Sequence, residues 1–97
     1  MSASGKWNVV VKAPMGDMSV TFDLVDDGSN LNGTITRSGD QTNITNGRVQ
    51  GDKLSWRCTV TQPKAGDIDF TAIFSGNSIS GELTGPLGKG TFTGTKV

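Results

Sequence analysis

An all-β fold, an eight-stranded antiparallel up-and-down (meander) β-barrel, is predicted from three features of the sequence. Short segments alternate apolar with polar residues, and no run carries apolar residues at helical spacing. Fourteen glycines punctuate these segments, and four of the breaks carry Gly-Asp: Gly16-Asp17, Gly39-Asp40, Gly51-Asp52 and Gly66-Asp67. Glycine takes positive φ without a Cβ clash and Asp bonds back to nearby backbone, so these breaks read as turns. Each segment then has one apolar face and no helix to cover it, and a meander buries such faces by closing on itself. A two-sheet sandwich is the alternative.

The first segment, Lys6 to Ala13, puts Trp7, Val9, Val11 and Ala13 on one face. The second, Met18 to Val25, presents Met18, Val20, Phe22 and Leu24, and the third, Leu31 to Arg37, presents Leu31, Gly33 and Ile35. The fourth, Gln41 to Val49, breaks the rule, because Ile44 and Val49 have opposite parity and share a face only if one residue is extra. Asn46-Gly47 is the place for a β-bulge. The fifth, Lys53 to Thr61, presents Leu54, Trp56, Cys58 and Val60. Ile68, Phe70, Ala72 and Phe74 follow on the sixth, Ile68 to Ser75. Ile79, Gly81 and Leu83 lie on the seventh, Ser78 to Thr84, and Gly90, Phe92 and Gly94 on the eighth, Lys89 to Lys96.

One pattern recurs: GSNLNG from Gly28, GDKLSW from Gly51 and GNSISG from Gly76. In an up-and-down chain, successive turns alternate between ends, so these three hairpins meet at one end, beside Trp7 and Lys96. The opposite end receives the loops around Pro14, Gly39, Pro63 and Pro86.

Composition narrows the function. At 97 residues the chain has the size of one domain, 1–97. Nine basic and nine acidic residues cancel and are scattered, so nucleic acid is not an expected partner. The sequence has no apolar run of the roughly 18 residues a spanning helix needs, and MSASGKW lacks the apolar stretch of a signal peptide. A soluble, cytoplasmic protein without membrane insertion is expected. A single cysteine, Cys58, permits no internal disulfide.

Catalytic chemistry is sparse. Histidine is absent, which removes the commonest general base and imidazole ligand. The carboxylates fall in turns or at outward parity, so no acid and base pair is expected inside the barrel. Asp17, Asp40 and Asp67 meet at the proline-bearing end, where oxygen ligands from several loops can hold a hard cation; Gly-Asp is also ordinary turn chemistry, and no metal or cofactor is assigned. Cys58 reads as an inert core thiol. Arg37 stands at inward parity at the loop end of its strand. It either anchors an oxyanion with its two-pronged guanidinium or extends to water.

Gly5-Lys6-Trp7 at the start and Phe92-Thr93-Gly94-Thr95-Lys96 at the end resemble the calycin superfamily of lipocalins, fatty-acid-binding proteins and avidins. The resemblance implies a barrel in which Trp7 opens the first strand and a basic side chain from the last, here Lys96, packs across it to shut one end. That family more often has arginine there. It also implies a ligand inside the barrel; size and plain meander are closer to the avidin type, but no biotin-binding set falls on these residues, which include no tyrosine.

The expected function is therefore to bind a compact apolar or apolar-anionic small molecule at the proline-bearing end. Met15, Met18, Trp56, Val60, Ile68, Leu83 and Leu87 are the expected lining, with Arg37 as the polar contact. Two alternatives stand beside it. A barrel of eight strands is just wide enough for side chains to fill, and a solid one serves as a structural or assembly module, with outward Val10 and Ile73 available for a homo-oligomer contact. An enclosing enzyme, a cyclase or isomerase, works by orientation alone.

Overall fold

Alternation along the chain becomes strand after strand, with no helix among the residues described. The computed structural model describes residues 3–13, 16–37, 39–60, 66–86 and 88–97. Its strands are β1 (Gly5–Ala13), β2 (Gly16–Asp26), β3 (Asn30–Arg37), β4 (Asp40–Asn43), β5 (Thr45–Gln50), β6 (Lys53–Val60), β7 (Gly66–Ser75), β8 (Ser78–Gly85) and β9 (Gly88–Lys96). All pairings are antiparallel; most join neighbours in sequence, while β3 pairs with both β4 and β5 and β1 pairs with β9. The sheet is a closed eight-stranded barrel in up-and-down order, with its fourth strand broken into β4 and β5. No helix long and apolar enough to cross a membrane is present among the described residues.

The break lies where parity required it. Thr45 pairs with Arg57 and Arg48 with Ser55, so three steps on β5 face two on β6. Asn46 takes φ of 54° there, a left-handed conformation that asparagine tolerates better than most residues. A Cβ on Gly47 would collide with the Leu31 carbonyl, so only glycine lets the bulged backbone come this close to β3. Through this extra residue Ile44 is buried and Val49 packs against the same core despite their opposite parity. The bulge also divides the work of closure: β5 joins β3 to β6, whereas β4, among the described residues, pairs with β3 alone.

The recurring hexapeptides build one end of the barrel. Gly28, Gly51 and Gly76 all have positive φ, at 97°, 64° and 58°, and each opens a hairpin there. The residue after each glycine offers its carbonyl to the next strand around: Val49 N–H donates to Ser29 O, Phe74 N–H to Asp52 O and Lys96 N–H to Asn77 O, at 3.0, 3.0 and 2.8 Å. The fourth residue of each repeat, Leu31, Leu54 and Ile79, is buried in the core. The repeat is thus a structural unit: turn glycine, carbonyl for the neighbour, apolar side chain for the floor.

That end is plugged by Ala3 and Trp7. Trp7 is fully buried and its Nε1–H donates to the Ala3 carbonyl at 2.9 Å, while Ala3 N–H donates to Asp26 Oδ2 at 3.1 Å. Trp7 and Lys96 are register partners on β1 and β9, and Lys96 Nζ lies 5.1 Å from the tryptophan ring centroid. The lysine stem runs past Gly5, where a Cβ would stand 3.2 Å from Lys96 Cε. Ala3 and Asp26 had no place in the sequence reading of this end.

The middle of the barrel is filled by aromatic rings. Phe22 from β2 meets Trp56, Phe70 and Phe92 edge-on at centroid distances of 5.3, 6.1 and 5.6 Å, and Trp56 stacks on Phe70 at 5.2 Å. Edge-to-face and offset pairs match the negative face and positive edge of each ring, and are worth about 0.5 to 1.5 kcal/mol each beyond the area buried. Gly81 makes room for this cluster, since a Cβ there would lie 2.8 Å from Phe92 Cζ.

Candidate ligand-binding site

Above the aromatic layer, at the end opposite Trp7, the barrel holds a cavity of about 90 Å³. Phe22 and Phe70 form its floor. Val11, Val20, Ile35 and Cys58 are its buried walls, and half-buried Met18, Arg37, Thr42, Ile68 and Leu83 stand nearer its mouth with exposed Asp40. Seven strands contribute, each through residues of inward parity on its last or first turn of pleat. The site is a property of closure, since separated strands would leave these side chains on a flat sheet.

Four residues expected to line the entrance, Met18, Arg37, Ile68 and Leu83, are brought together at this cavity. Met15 and Leu87 lie outside the described residues, as does the side chain of Val60. Trp56 does not line the cavity. It lies one layer deeper, 2% exposed, sandwiched into the ring cluster under Phe70 and Phe22. Its Nε1 is a buried side-chain polar atom without a hydrogen-bond partner among the described residues. Leaving such a donor unsatisfied costs about 1 to 3 kcal/mol, and nothing in the packing offsets it directly.

The polar groups are few and converge. Arg37 Nη1 donates to Met18 Sδ on the neighbouring strand at 3.8 Å. Asp40, expected in a turn, is instead the first residue of β4 and a cavity residue, paired in register with Arg37. Thr42 follows two residues later on the same face. Both were legible from the parity of Ile44, which carries back along the strand to Thr42 and Asp40. Reading Gly39-Asp40 only as a turn hid it.

Cys58 is 3% exposed, and burial pushes its thiol pKa up to about 11, with the nearby Arg37 charge opposing that rise and Asp67 adding to it. A neutral thiol at this depth is a wall and not a nucleophile. Asp67 and Asp69 are engaged on the outer surface. Arg57 Nε donates to Asp69 Oδ1 at 2.6 Å and lies near Asp67, whose Oδ1 accepts from the Thr59 hydroxyl at 2.7 Å. Asp69 accordingly holds the Arg57 pKa above its usual value. No group of three or more acidic or cysteine side chains among the described residues is arranged to hold a metal ion.

A larger hollow, about 640 Å³, lies on the outer face of β5 to β8. Arg48, Gln50, Lys53, Ser55, Thr71, Ile73, Ser80 and Glu82 line it. It is a broad dip in a twisted sheet with solvated side chains, and no buried polar group is aimed into it. The smaller interior cavity has apolar walls and carries Arg37 and Asp40 among its lining residues. No known protein family matches the chain, and no curated protein is similar to it in sequence.

Proposed function

We propose that this protein binds a compact apolar or apolar-anionic small molecule at the end of a calycin-like barrel opposite Trp7. The observation that carries the reading is the cavity itself: apolar walls from six strands with a guanidinium, Arg37, beside Met18 among the lining residues. An apolar head enters the cavity and a carboxylate remains at the rim, where a guanidinium offers a two-pronged contact. A ligand of this kind also suits the absence of histidine, because binding asks for no proton transfer.

The volume bounds the ligand. About 90 Å³ is the share of roughly three water molecules, so a head of about three or four carbon atoms fits and a long acyl chain does not. At about 0.8 kcal/mol per buried methylene plus about 1.5 to 3 kcal/mol for the charged contact, the expected Kd is between tens of micromolar and about a millimolar. Calorimetric titration with 4-methylpentanoate tests the reading. Arg37→Ala should weaken binding by about 1.5 to 3 kcal/mol, and Arg37→Lys should recover part of it because the charge remains while the fork is lost. Asn77→Ala, at the plugged end, should leave affinity alone. Equal losses in Arg37→Ala and Asn77→Ala, or no binding below about a millimolar, would remove the support.

A second reading, a solid barrel serving as a structural or assembly module, is favoured by the ring cluster of Phe22, Trp56, Phe70 and Phe92 that fills the middle. The cavity is also well below the roughly 300 Å³ at which small-molecule pockets usually begin. Half-exposed Ile73 and Val10, on the outer faces of β7 and β1, would then meet other copies. Failure of every short apolar probe to bind would leave this reading standing.

A further inference from the structure

We propose that the cavity selects a zwitterion, namely a short branched apolar α-amino acid, through Arg37 and Asp40 acting together. This rests on the ligand-binding reading above and adds the second charge to it. Arg37 ends β3 and Asp40 begins β4, and the two are paired in register. Directly opposed residues of an antiparallel pair leave the sheet on the same side with Cβ atoms about 4.5 to 5.5 Å apart. Both are cavity residues, so a guanidinium and a carboxylate belong to the same cavity lining.

The pair distinguishes ligands by charge pattern. A simple carboxylate gains the guanidinium but brings its charge toward Asp40, and a simple amine meets the reverse conflict. A molecule with carboxylate and ammonium on one carbon satisfies both groups. Its third substituent then points at the apolar walls, where about 90 Å³ suits an isopropyl or isobutyl group. Three contacts on one tetrahedral carbon also define a handedness, which two contacts do not.

The experiment titrates wild type and Asp40→Asn with four probes: L-leucine, D-leucine, 4-methylpentanoate and 3-methylbutylamine. Wild type should bind one leucine enantiomer about two- to fivefold more tightly than 4-methylpentanoate, and 3-methylbutylamine most weakly; the range is that of a partly exposed charge contact. Asp40→Asn should bring both enantiomers to the affinity of 4-methylpentanoate, whose own binding should improve. If 4-methylpentanoate binds wild type at least as tightly as either leucine, or if Asp40→Asn weakens it as much as leucine, the zwitterion proposal is overturned while the ligand reading stands. If none of the four probes binds, the ligand reading fails and the proposal with it.

Discussion

Cys58 illustrates what a single position fixes. Its inward parity between Trp56 and Val60 predicts burial, and the side chain is 3% exposed with a thiol pKa raised from 9.0 to about 11, chiefly by loss of water. Alkylation of the native protein at pH 8 should be slow and should accelerate at least tenfold on unfolding; equal rates would place the fifth strand of the sequence in the wrong phase. The raised pKa has a consequence for stability. Between about pH 9 and pH 11 the unfolded thiol loses its proton while the folded one keeps it, so stability falls as pH rises through that window. Denaturation of wild type and Cys58→Ala at pH 8 and pH 11 isolates this effect, because the alanine variant lacks the thiol and should lose less stability on going to high pH. Gly81 carries a different lesson. A Cβ there would strike the Thr71 carbonyl and stand 2.8 Å from Phe92 Cζ, so Gly81→Ala should cost about 1 to 3 kcal/mol through overpacking. Sequence parity marked Gly81 as inward but not why it had to be glycine; that depends on the Thr71 carbonyl and on Phe92, which arrive from the two neighbouring strands.

Among the elements, the fourth strand was the one whose internal logic the sequence exposed best, because its fault was visible. Ile44 and Val49 disagree in parity, and the bulge at Asn46-Gly47 reconciles them. Asn46→Gly should be neutral or slightly stabilising, since glycine holds left-handed φ at no steric cost, and Asn46→Val should destabilise by about 1 to 2 kcal/mol. Thermal or denaturant midpoints decide this; a valine variant as stable as wild type would mean the bulge relaxes freely. The division into β4 and β5, and the pairing of β4 with β3 alone among the described residues, was not legible. Parity reports which side a residue faces, and it says nothing about which neighbour a strand end keeps. Asp40 was hidden for a different reason: a Gly-Asp pair satisfies turn chemistry and strand entry equally well, so reading it as a turn stopped the parity of Ile44 from being carried back to it. The hairpin repeat was legible as a repeat, whereas its chain of carbonyls to Val49, Phe74 and Lys96 required the closed ring.

For the whole molecule, closure is the event that creates both ends. One apolar face per strand and connections too short for crossovers left few ways to bury the core, and pairing of β1 with β9 realises the barrel. The plugged end then depends on Trp7, whose ring fills the base under Lys96 and whose Nε1 bonds to Ala3. Trp7→Ala should cost about 3 to 5 kcal/mol, the range for a buried aromatic, visible as a large shift in the denaturant midpoint. The cavity at the opposite end depends on how much of the interior the rings leave free. Sequence parity located its residues Met18, Arg37, Ile68 and Leu83, but could not give its depth, because Trp56 settles one layer below the floor that Phe22 and Phe70 form. The central claim, that a small apolar-anionic molecule occupies this cup, is tested most directly by mapping methyl chemical shifts during titration with 4-methylpentanoate. The account predicts saturable changes concentrated on Val11, Met18, Val20, Ile35, Ile68 and Leu83, with Leu31, Leu54 and Ile79 at the plugged end unmoved. Changes centred on the plugged end or on outer-face Ile73, or none at a probe concentration well above a millimolar, would contradict it.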